Sequence, residues 1–113
     1  MSPHVLIAGA FLLDGLLLAG VALPLVAGRV KRNPLYGFRT PRTLASDETW
    51  YAANWYAGRQ LFGAGLTTAL GALVLMGFAG RLNAGTVVLT GMALTFVPLG
   101  VAVVRSFRYL NRL

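Results

Sequence analysis

The chain contains no cysteine. That excludes disulfides, thiolate nucleophiles and cysteine-based metal sites, and leaves the redox compartment open. Charge is nearly as scarce. Only 12% of the 113 residues are charged and 57% are hydrophobic, whereas a soluble domain carries roughly 25% charged residues. So few charges cannot cover a water-exposed surface, and the apolar excess belongs in membrane spans. Three acids are present, Asp14, Asp47 and Glu48, and one histidine, His4. Asp47 and Glu48 are sequence neighbours, so on a helix they diverge by about 100° and do not face one substrate as an acid–base pair. No phosphate loop, nucleophile elbow or metal-ligand spacing occurs. The reading is therefore not an enzyme, with no cofactor and no metal. The net charge of +7 sits beside apolar runs and not in an aromatic–basic module, which points away from nucleic acid.

What the chain does have is three long apolar stretches, at about 5–28, 60–80 and 87–104. Each approaches the roughly 20 residues that cross about 30 Å of hydrocarbon as a helix. In lipid the backbone must satisfy its own polar groups, so helix is the expected state. Pro24 and Pro98 are expected to kink their helices or mark their ends. The first stretch lacks a basic segment ahead of it and is interrupted by Asp14, so it reads as a retained span and not a cleaved signal. Arg29, Lys31, Arg32, Arg39, Arg42 and Arg59 flank or fill the first connection, and Arg105, Arg108 and Arg112 follow the third span. The turn between the second and third spans holds only Arg81. The positive-inside rule then places the large loop and the C-terminus in the cytoplasm and the N-terminus outside.

The loop at 29–59 is the polar island of the chain. Asn33-Pro34 starts a turn, Tyr36-Gly37 offers a break where glycine takes φ > 0, and Pro41 holds Thr40 extended. Ser46 is a good N-cap, with Asp47 and Glu48 suited to the positive end of the helix dipole. No glycine or proline occurs from Thr49 to Ala57, so this helix is free to run on into the second span, with Gly58 the one place for a bend. Trp50, Tyr51, Trp55 and Tyr56 precede that span as an aromatic belt. Trp50 and Asn54, four apart on one face, are also placed to pack onto the loop. Arg39 and Arg42 are expected to meet Asp47 and Glu48, or to bind lipid phosphate through the guanidinium fork.

The string NPLYGFRTPRTLASDETWYAANWYAGR resembles the signature of the SdpI-like family of bacterial membrane proteins. The positions that carry the resemblance are Asn33, Pro34, Gly37, Arg39, Thr40, Pro41, Thr43, Leu44, Glu48, Trp50, Asn54 and Gly58. Tyr36, Arg42, Asp47 and Arg59 lie within the same segment. Leu23-Pro24-Leu25 is similar to the family's exit from the membrane. The resemblance implies an immunity protein that protects a bacterium from a secreted, membrane-attacking peptide, and a receptor that holds a transcriptional repressor at the membrane. Longer members carry further helices ahead of the signature; here one helix precedes it and two follow.

Asp14 lies about nine residues into the first span, or about 13 Å deep at helical rise. An ionised carboxylate at mid-membrane costs roughly 2.5–3.5 kcal/mol on insertion scales, so it should face protein. Thr67, Thr68 and Thr95 fall near its depth, so a polar cluster that joins the helices is expected. Gly15 with Ala19, and Gly65 with Ala69, set small residues four apart for close helix approach. The expected architecture is one all-α integral membrane domain over 1–113. It has three transmembrane helices, with a structured cytoplasmic loop and an interfacial helix between the first and second. The expected partners are anionic lipids and a membrane protein or a second copy of the chain.

Overall fold

The computed structural model describes residues 2–113 and consists of helices and loops. Helix α1 spans Pro3–Val26, α2 spans Asp47–Phe78 and α3 spans Ala84–Arg112. All three are long and apolar enough to cross a membrane. Each has a side-chain N-cap. Ser2 accepts from the Val5 amide, Ser46 from the Thr49 amide and Asn83 from the Thr86 amide, which satisfies donors that a helix start leaves free.

The helices pack side by side in up-down-up order within an envelope of 51 × 23 × 19 Å. Pro24 lies two residues before the end of α1, so it marks the end of that helix. The chain then turns at Gly28, whose φ is +69°, while the Arg29 amide bonds back to the Pro24 carbonyl at 3.1 Å. Pro98 lies inside α3, which continues past it to Arg112. Helix α2 is a single element of 32 residues, about 48 Å at helical rise. The expected interfacial helix and second span are therefore one rod, with no break at Gly58. That glycine serves packing: a Cβ there would stand 3.0 Å from the side chains of Leu25 and Val26.

The α1–α2 seam rests on backbone contact. A Cβ on Gly15 would lie 2.5 Å from the Ala69 nitrogen and 2.6 Å from the Gly65 carbonyl oxygen. A Cβ on Gly65 would lie 2.5 Å from the Ala19 nitrogen and 2.6 Å from the Gly15 carbonyl oxygen. The small residues thus interlock reciprocally, and alanines such as Ala8, Ala22, Ala64 and Ala72 are buried in the bundle. Without a hydrophobic drive between helices in lipid, such close packing is what holds them together. Helix α3 docks through larger groups: the Phe11 ring covers Gly91 and Leu94 covers Gly71. Ala8, Leu75, Ala79 and Val87 close the end of the bundle distant from the long loop. Large apolar side chains face outward on every helix, among them Leu17, Leu70 and Leu89, as a lipid-facing surface requires.

Candidate functional site

Residues 27–46 fold back on the first turns of α2 as a cap. Asn33 organises its start. Its Oδ1 accepts from the amides of Leu35 at 2.9 Å and Tyr36 at 2.6 Å, and its Nδ2 donates to the carbonyls of Lys31 and Tyr36. A carboxylate at this position would lose both donations. Pro34 follows within the turn. Tyr36 then reaches down, and its hydroxyl donates to the Val21 carbonyl on α1. Arg39 closes the turn from the other side, with Nε donating to the Asn33 carbonyl at 2.8 Å.

Gly37 is required twice over. Its φ is +114°, and a Cβ there would meet Asn54 Oδ1 at 2.8 Å and Trp50 Cη2 at 3.0 Å. The chain therefore presses flat against Trp50 and Asn54 of α2. Trp50 is fully buried and donates Nε1–H to the Val30 carbonyl at 2.7 Å. Asn54, also buried, reads the loop backbone as a strand partner would. Its Oδ1 accepts from the Phe38 amide at 2.6 Å and its Nδ2 donates to the Phe38 and Trp50 carbonyls. The Thr40–Thr43 pair completes the loop: the Thr40 amide donates to Thr43 Oγ1 at 2.8 Å and the Thr43 amide to Thr40 Oγ1 at 3.1 Å. Pro41 lies between them and Thr43 is fully buried. Among the described residues, every buried side-chain polar atom has a partner.

The ion pairing differs from the expectation. Arg32, not Arg39 or Arg42, meets Asp47, with Nε to Oδ1 at 2.7 Å, and its Nη1 also donates to the Leu44 carbonyl. Arg39 has its Nε engaged at Asn33, and no salt bridge to Glu48 or Arg42 forms among the described residues. The reason lies in the path of the loop. The turn at Asn33 brings the preceding residue back toward the 3₁₀ turn at Thr43–Ala45 and the start of α2. Both partners are largely exposed, so the pair contributes little to stability. The aromatic residues divide between two roles. Trp50 is a core residue, whereas Trp55 is exposed and carries the Arg59 guanidinium 4.9 Å from its ring centroid.

Aromatic contacts also tie the cap and α2 to α3. Phe38 of the cap and Phe107 make an edge contact at 5.0 Å, and Tyr56 of α2 stacks on Tyr109 at 4.2 Å. The spacing of single residues gave no sign of these pairs, because they join segments about 50 to 70 positions apart in the chain. Below the cap a mostly apolar crevice of about 280 Å³ is bordered by Leu25, Tyr36, Phe38, Leu99, Val103 and Phe107.

Within the bundle the expected polar cluster separates into two latches. Thr95 Oγ1 donates to Asp14 Oδ2 at 2.6 Å, joining α3 to α1, and shares its proton with the Gly91 carbonyl at 3.1 Å. Thr68 Oγ1 is bonded to the Ala64 carbonyl at 3.0 Å and the Leu94 carbonyl at 2.7 Å, joining α2 to α3. Thr67 takes no part in either. It is exposed, and its hydroxyl returns to the Gly63 carbonyl of its own helix. The helical twist of about 100° per residue separates the two adjacent threonines. No group of three potential metal-ligating His, Asp or Glu side chains occurs among the described residues.

Set beside known proteins, the chain is matched over residues 29–107 by the model of one family, the SdpI/YfhL protein family. The match runs from the first residues of the cap through α2 and most of α3, and α1 lies ahead of it. No curated protein and no solved structure matches the chain.

Proposed function

The chain belongs to the SdpI/YfhL protein family and is a multi-pass membrane protein; from that premise we propose that it is a non-enzymatic, immunity-type factor that protects its host against a membrane-active peptide. The observation that carries this reading is the extent of the family match, which takes in nearly all of the cap, α2 and most of α3. The signature side chains are engaged in folding: Asn33, Gly37, Trp50 and Asn54 hold one another and the loop backbone. A rigid recognition surface at the membrane suits binding to a peptide better than turnover of a substrate. The basic residues around the cap support a bacterial cytoplasmic membrane as the location, with the cap and C-terminus cytoplasmic and the N-terminus outside.

The test is genetic. Deletion is expected to lower survival, and to speed loss of membrane potential, when cells meet a secreted or added membrane-active peptide. The wild-type chain restores protection, and Gly37→Ala restores less. Unchanged sensitivity in the deletion strain would overturn the reading.

One observation favours a second role, as an accessory subunit of a membrane complex or a self-associating scaffold. Gly20, Gly77 and Gly100 have open space where a side chain would stand, so they serve no close approach within the bundle. Stoichiometric co-purification of another membrane protein in mild detergent, together with unchanged peptide sensitivity, would select this role.

A further inference from the structure

Ten basic residues face three acids in this chain, and a single salt bridge, Arg32–Asp47, forms among the described residues. Of the charge left without a carboxylate, one group lies where α2 and α3 leave the bundle on the cap side. Arg59 projects there from α2, held over Trp55, and Arg105 and Arg108 from α3. Arg105 borders three adjoining clefts, and no acid lines any of them.

The largest of the three that reaches from Arg59 to Arg105 encloses about 450 Å³ and opens on the outer surface of the bundle. Arg59 and Arg105 stand at its cap-side end. From them it runs down to Thr67 on α2 and Val97 on α3. Each is eight residues further from the cap, so the groove is about 12 Å long. Gln60 lines it beside Arg59, and apart from Thr67 the rest of its floor is apolar. Gly63 offers open space above its backbone, Val97 and Val101 are exposed, and the Thr67 hydroxyl is occupied by the Gly63 carbonyl at 2.8 Å.

Two arginines at one end of a largely apolar furrow have the chemistry of a phospholipid site. Arginine binds phosphate oxygens through its planar fork, and anionic lipid adds long-range attraction to a basic membrane-proximal cluster. We propose that this cleft binds one anionic phospholipid. Its phosphate lies between Arg59 and Arg105, with Arg108 adjacent, and one acyl chain lies along Gly63, Thr67 and Val101. The charge complementarity selects a lipid over a second apolar helix, which would leave both guanidinium groups without a counter-charge. Arg39 and Arg42 have no part in this site.

The experiment is native mass spectrometry of the full chain in detergent, titrated with phosphatidylglycerol and with phosphatidylcholine of the same acyl chains. The expected result is one retained phosphatidylglycerol per chain and weaker retention of phosphatidylcholine. Arg59→Gln/Arg105→Gln should weaken retention by about tenfold or more, since it removes the charge-assisted hydrogen bonds to the phosphate. Gly63→Leu should also weaken it by filling the furrow, and should leave the unfolding temperature unchanged or higher, because the new side chain meets open space and removes a helix glycine. Arg39→Gln/Arg42→Gln should retain the lipid. Equal binding of both lipids, retention by the Arg59→Gln/Arg105→Gln variant, or full displacement by glycerol phosphate without acyl chains would each overturn the proposal. So would a Gly63→Leu variant that keeps its lipid, or a dimer whose dissociation uncovers the cleft.

Discussion

The α1–α2 seam and the contact of the cap with α2 are built by opposite means. Along the membrane seam, Gly15, Ala19, Gly65 and Ala69 bring backbone against backbone, and the specificity lies in what is missing from each side chain. At the cap, Asn33, Trp50, Asn54 and Thr43 bond named backbone atoms one by one. The difference follows from the surroundings. Between apolar helices in lipid, close fit is the main gain that remains. At the membrane surface, a loop with no regular structure must find a partner for each buried backbone group, and side chains supply them.

This contrast can be broken at either end. Gly65→Leu should have the largest effect, because the added Cβ already conflicts with the α1 backbone. It should cost about 3 kcal/mol, read as a fall in thermal unfolding temperature in detergent, and a variant as stable as wild type would show that the seam is loose. Asn54→Ala should cost about 1–2 kcal/mol, since it strands the part-buried Phe38 amide. Gly37→Ala should cost a similar amount, about 1–3 kcal/mol, from the positive φ and the contact with Trp50. Both cap variants should expose Trp50 and red-shift its emission in a Trp55→Phe background, while helix content stays unchanged. If helix content falls as well, cap and bundle fold as one unit and the division fails. Asp14→Asn keeps an acceptor for Thr95 and should cost about 0.6 kcal/mol. Asp47→Asn breaks an exposed ion pair and should change stability by less than about 0.5 kcal/mol.

The three spans were legible because hydropathy reports what must lie in hydrocarbon. Their ends were less so. Hydropathy stops at the membrane surface, whereas the helices continue through it, so the second span at 60–80 is only part of a helix that begins at Asp47. That start could be read from Ser46, a local signal that needs no knowledge of the fold. The turns at Asn33 and Gly37 were marked by residue type. Their direction was not, and it is direction that gives Asp47 to Arg32 in place of Arg39 or Arg42. The Asp14–Thr95 bond was within reach of a depth estimate. Depth does not fix rotation about the helix axis, which is why Thr67 and Thr68 were not told apart.

Helix α2 is one unbroken rod of 32 residues. About 12 of them, or about 18 Å, extend past a typical hydrocarbon layer on the cap side. The cap is fastened to that overhang by Trp50 and Asn54. The assembly is therefore a lever. If the bilayer thins and the rod tilts by a further 10° or so, the tip at Asp47 swings sideways by about 3 Å. A change in membrane thickness at the span would then move the cap outside it.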